Sequence, residues 1–117
     1  MRHKFGTSHR PFEAIKNKTK KVEYRTTASN DKYDFSSVKA GDELLLFDED
    51  IGEELELDVV RVSHYNSTRK ALENEGLSHS SSKPKTIEEA IDSIESHTGY
   101  KEAIKKHGLY AIELQFK

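Results

Sequence analysis

The chain contains no cysteine, which excludes disulfides and thiolate metal sites. No apolar run approaches the ~20 residues that a membrane span requires. The opening residues Met1, Arg2, His3, Lys4 and Phe5 are charged and lack the apolar centre of a signal peptide. These features predict a cytoplasmic protein with no membrane partner. The six histidines (His3, His9, His64, His79, His97 and His107) never fall at i, i+4 spacing, and no H-E-x-x-H pattern is present. A metal site is therefore not expected, nor is any other cofactor. There is no glycine-rich phosphate loop, and the serine run 78–82 has no G-x-S-x-G around it, so it is not a nucleophile elbow.

What is present fits one small domain spanning residues 1–117. Hydrophobic residues make up 33% and charged residues 34%, so the core is small and stability should be about 5–10 kcal/mol. The net charge is −2, but its distribution is uneven. Residues 16–25 hold Lys16, Lys18, Lys20, Lys21 and Arg25 against Glu23 alone. Residues 42–58 hold nine acids and no lysine or arginine. A local basic patch attracts phosphate even on a slightly acidic protein. Both runs are also compatible with ordinary solvated surface.

Residues 2–6 predict a first strand, and Pro11 opens a short helix with Phe12 and Ile15 on one face. Asn17 and Lys18 end it, asparagine being suited to a left-handed exit. Val22 and Tyr24 alternate with Glu23 and Arg25, the mark of a two-faced strand. Residues 27–37 read as a loop pinned by Tyr33 and Phe35. Gly41 and Asp42 turn into a strand over 44–47, and residues 48–52 form a hairpin loop. A long strand over 53–65 slips its alternation near Val59 and Val60, which predicts a bulge. Asn66 or Ser67 caps a helix over about 68–75 that Gly76 stops. Residues 78–85 form a polar loop. Thr86 and Glu89 make a capping box for a helix whose stripe is Ile87, Ala90, Ile91 and Ile94. A helix over 100–107 ends at Gly108, and an apolar closing strand from Leu109 to Phe116 is expected inside the sheet. The order predicts an α+β, mainly β fold: a small mixed β-barrel flanked by short helices.

Lys20, Glu23 and Arg25 stand at the spacing K-x-x-E-x-R. Side chains two apart on a strand share a face, so Glu23 and Arg25 point the same way. Two cations and an anion at one spot make a polar binding site or a structural ion-pair cluster. Tyr24, Tyr33 and Tyr65 are candidates to stack on a base, and core packing is the competing role, strongest for Tyr24 beside Val22.

An ordered set of motifs runs along nearly the whole chain: Pro11, Phe12, Ile15, Lys20, Glu23 and Arg25; then Val38, Gly41, Asp42, Leu44 and Phe47; then Val59, Val62 and Tyr65; then His107 to Ile112. In this order they resemble the ASCH domain family, whose fold is PUA-like. The resemblance implies binding of RNA or a nucleotide-like ligand in a cleft beside the barrel. Lys18, Lys20, Lys21, Glu23, Arg25 and Tyr65 are the expected contacts, and Asp42 the holder of the turn that shapes the cleft. Some relatives in that family resemble hydrolases that remove an acyl group from N4-acetylcytidine with a lysine, a threonine and a glutamate. That alternative would make Lys20 and Glu23 catalytic. Only the lysine matches here. The threonine position holds Glu23, and the glutamate would fall near residues 82–85, where there is no acid. The family's glycine before the motif lysine is Lys18 here, with Asn17 expected to take over its left-handed role.

Overall fold

Leu109–Phe116 forms a strand with buried apolar residues on both faces, and it lies between the two halves of the core. The structure, a computed structural model, describes residues 1–28, 33–77 and 84–117. Its sheet has five strands: β1 (Arg2–Thr7), β2 (Val22–Arg25), β3 (Glu43–Asp48), β4 (Glu54–Tyr65) and β5 (Leu109–Phe116), in the order β1-β3-β4-β5-β2. β1 runs parallel to β3, and the other neighbours are antiparallel. Among the described residues, four α-helices flank it: α1 (His9–Lys16), α2 (Thr68–Glu75), α3 (Ile87–Glu95) and α4 (Tyr100–His107). The molecule is thus α+β and mainly β, a curled half-barrel with short helices, the small PUA-like barrel expected. Among the described residues, no helix is long and apolar enough to cross a membrane.

Alternation along β5 divides the core. Leu109 and Ala111 face α2, α3 and α4, packing with Val22, Tyr24, Ala71, Leu72 and Ile104. Ile112 and Leu114 face the barrel interior with Phe12, Phe35, Leu44, Leu46 and Leu57. Burying one such side chain contributes about 1.5–3 kcal/mol, so a strand buried on both faces carries little charge. The bulge falls where expected, with a register shift between Val59 and Arg61. It leaves Val60 40% exposed.

Two helix ends differ from expectation. α1 begins at His9, two residues before Pro11, with Ser8 in extended conformation ahead of it. Proline fits at the third position because the first N–H groups of a helix have no intrahelical partner. At the other end the left-handed residue is Lys18 (φ 67°), while Asn17 stays at φ −89°. Asn17 instead braces the turn, its side-chain oxygen accepting from the Thr19 N–H at 3.2 Å and the Thr19 hydroxyl at 2.7 Å. Ser67 and Thr86 cap α2 and α3, as their sequence context predicts, accepting from the N–H groups of Lys70 and Glu89. The Glu89 carboxylate accepts from the Lys85 N–H. Most of the polar loop expected over 78–85 lies outside the described residues, as do positions 29–32 of the loop over 27–37. Phe35 does pin that loop: it opens a short 3-10 turn, Phe35–Ser37, and is fully buried.

Candidate ligand-binding cleft

Among the described residues β2 is an edge strand, bonded to β5, and its Glu23 lies opposite Ile112. Directly opposed residues share a face, so Glu23 points towards the barrel interior and Arg25, two residues on, does too. β1 is the other edge. Across the open side between them, Arg25 Nη2 donates to the Gly6 carbonyl at 2.7 Å and to Glu23 Oε2 at 3.1 Å. Its guanidinium carbon lies 4.9 Å from the Phe5 ring centroid and 5.8 Å from that of Phe35. One side chain therefore bridges the two edges of the half-barrel where no backbone ladder does.

Lys20 completes the cluster. Its ammonium is 3.7 Å from Glu23 Oε1 and 5.6 Å from the Tyr24 ring centroid. All three charged residues are buried, with exposures of 6% for Lys20, 5% for Glu23 and 8% for Arg25. The basic run thus contributes two of its cations to an interior ion cluster. Burial acts first on Lys20 and lowers its pKa, an effect that the Glu23 charge opposes and the Arg25 charge reinforces. Burial would raise Glu23, but the charges of Arg25 and Lys20, the Arg25 hydrogen bond and the nearby His97 outweigh it. The carboxyl stays below its ordinary range.

Glu23 and Arg25 open onto a cleft of about 310 Å³. The end of β1 and the start of α1 form one wall, with Gly6, Thr7, Ser8 and Pro11. The opposite wall comes from the α3–α4 junction, with His97 and Tyr100, whose rings meet edge-on at 5.3 Å between centroids. Sequence reasoning missed this wall. Its residues lie more than seventy positions from Glu23 along the chain, and no local spacing marks them.

Lys18, Lys21 and Tyr65 are not brought to this cleft. Lys18 and Lys21, with part of Lys20, line a second hollow of about 330 Å³ against β4 and β5. Lys20 stands between the two, lining one and holding its ammonium against the carboxylate of the other. Tyr65 is engaged elsewhere: its hydroxyl donates to Glu75 Oε2 at 2.5 Å, within a network that also holds Arg61. Tyr65 packs on the helical side of the sheet, so its ring is not available to a ligand beside Glu23. Tyr24 packs in the same core and also lines part of the first cleft, and Tyr33 packs on Phe5 and Phe35 with its hydroxyl on His3. Asp42 does hold its turn, accepting from the Lys39 N–H at 2.9 Å and meeting His3 Nε2 at 2.8 Å. The His3 contact comes first among the causes that bring its pKa down to about 2. Its role is to fasten the start of β1, and the cleft is shaped by the far end of that strand.

The acidic run is largely matched by cations from other elements. Lys16 pairs with Glu53, Lys4 with Glu54, Arg2 with Glu56, and Lys117 with Glu43. Exposed pairs of this kind contribute little stability, about 0–1 kcal/mol each. They do neutralise the edge and remove Lys16 from the basic patch. Among the described residues, no cluster of three histidine or acidic side chains is arranged to hold a metal ion.

No known family description and no curated protein matches the chain. Solved structures do match, these two among them. The crystal structure of hypothetical protein PH0355 is 28% identical, covers 98% of both chains and superposes with a TM-score of 0.79. The solution structure of protein PF0455 from Pyrococcus furiosus is 31% identical over 98% of this chain and 96% of that one, with a TM-score of 0.71. The chain belongs to the same family as PF0455. The match extends over nearly all of both chains, so likeness to PF0455 covers the cleft-forming elements as well as the sheet.

Proposed function

We propose that this is an ASCH-like cytoplasmic protein that recognises a base of RNA, or a nucleotide-like ligand, in the cleft beside Glu23 and Arg25. The observation that supports this most is a buried, ionised carboxylate held between two cations at the wall of a cleft within the size range of small-ligand sites. Glu23 accepts hydrogen bonds only, which suits the exocyclic amine of a base. His97 and Tyr100 offer ring edges and faces opposite. The charges nearly balance, since Glu23 and Glu49 stand against Arg25 and the neighbouring Lys20. Such a cleft favours a neutral polar ring over a phosphate. Nucleosides and short single-stranded RNAs should raise the melting temperature by mass action. Glu23→Gln should weaken binding at least about tenfold, the equivalent of one charge-assisted hydrogen bond. Failure of all nucleosides and RNAs to shift the melting temperature at millimolar concentration would remove this reading.

A second reading, hydrolysis of an acylated nucleoside such as N4-acetylcytidine, is favoured by one feature: burial destabilises the Lys20 ammonium beside Glu23. Glu23 would draw a proton from water as the oxygen adds to the acyl carbonyl. Lys20 would pass a proton to the departing amine. Lys20→Ala separates the two readings. Lost turnover with retained binding supports catalysis, and lost binding with no turnover in the parent protein supports a recognition module.

A further inference from the structure

Lys18 holds a left-handed backbone conformation, φ 67°. For a residue with a side chain this conformation carries a steric cost that glycine escapes. Such strain persists where the surrounding structure imposes it, and it is a pointer to function. Here it places the exposed Lys18 ammonium 5.4 Å from the Phe116 ring centroid, at the second hollow. Lys21 lines the same hollow and is also exposed. The acid in its lining, Glu113, is engaged by Arg61 Nε at 2.9 Å. The floor is apolar, with Leu57 and Leu114. Two solvent-reachable cations over an apolar floor contrast with the charge-balanced cleft. The two sites are neighbours: Lys21 and Glu23 are two residues of extended chain apart, about 7 Å, and Lys20 reaches both.

We infer that the second hollow is a phosphodiester subsite, and that the ligand is single-stranded RNA of at least two nucleotides. One base enters the cleft, and the adjoining phosphate lies on Lys18 and Lys21. This rests on the base-recognition reading of the cleft and adds the polymer to it. A free nucleoside would use the cleft alone.

The test compares the four nucleosides with the four homopolymeric RNA hexanucleotides across a salt series, for the parent protein and for Lys18→Gly with Lys21→Ala. In the parent, a hexanucleotide should bind more tightly than its nucleoside and lose affinity as salt rises. The double variant should bind that hexanucleotide more than about tenfold more weakly at 0.1 M salt, with the slope of log affinity on log salt reduced by about 0.7, the change expected for one neutralised phosphate. Its nucleoside affinity should be unchanged. Lys18→Gly alone should raise the melting temperature by relieving the left-handed strain, so weaker RNA binding cannot be blamed on a damaged fold. Equal RNA affinity and salt slope in parent and double variant, with nucleoside binding intact, would overturn the phosphate subsite and leave the cleft reading standing. No binding of nucleoside or RNA to the parent would overturn both.

Discussion

Gly6 is in β1 where the strand passes beneath Phe47 and Glu49. A methyl group there would sit 2.6 Å from the Phe47 ring and 2.7 Å from Glu49 Cγ. Its carbonyl is also the acceptor for Arg25. Gly6→Ala should therefore push β1 or Phe47 aside and cost about 1–3 kcal/mol, the usual penalty of overpacking. Urea unfolding measures this, and an unchanged midpoint would mean that the Phe47 ring moves freely. The other residue-scale outcome is the exchange of roles between Asn17 and Lys18. Asparagine is the better left-handed residue by propensity, but the turn after α1 places Lys18, not Asn17, at the left-handed position. There the Lys18 N–H donates to Ile15 O, and the N–H groups of Thr19 and Lys20 both reach Ala14 O. Position in the turn outweighs preference.

At the scale of elements, a buried acid is one of the ties between α1 and the β3–β4 hairpin. Asp48 accepts from the N–H groups of Asp50 and Ile51, which folds the hairpin loop, and meets His9 Nδ1 at 2.6 Å. The Asp48 hydrogen bond raises the His9 pKa above 6.5. Burial would raise Asp48, but His9 and the two backbone N–H groups hold it below 3.8. The His9 contribution to stability is therefore whole below pH 6.5 and is lost as pH climbs through its raised folded value. The Asp48 contribution is present above pH 3.8 and is lost as pH falls through its lowered folded value. His9→Ala should be less stable than the parent at about pH 5.5, with the gap narrowing towards about pH 9. Urea midpoints across that range measure the gap, and a gap independent of pH would rule out a charged His9–Asp48 pair.

For the whole molecule, the open side of the sheet is the part most exposed to a single change. The β1 and β2 edges meet through Arg25, and Arg25 is compensated by Glu23. Arg25→Met should remove the bridge and leave Glu23 buried with Lys20 alone, at a cost of about 3–5 kcal/mol. Adding Glu23→Gln should recover part of that loss, because the stranded charge is removed with it. A double variant less stable than Arg25→Met by the full cost of Glu23→Gln would show that the two residues act independently.

Period, caps and turn residues made the elements legible, since each depends on neighbours within a few positions. The strand over 53–65 with its bulge, the Ser67 and Thr86 caps, and the apolar strand after Gly108 could all be read locally. The grouping of Glu23 with Arg25 followed from the two-residue period of a strand. The sequence could not say which way that face pointed. That depended on β2 pairing with β5 as an edge, which turned the charges inward over Phe5 and Phe35. Nor could spacing reveal His97 and Tyr100 across the cleft, or separate Lys18 and Lys21 from Glu23. Local order is written in short-range sterics and hydrogen bonding. Which distant side chains share a hollow is decided only when the sheet curls and its two faces are covered.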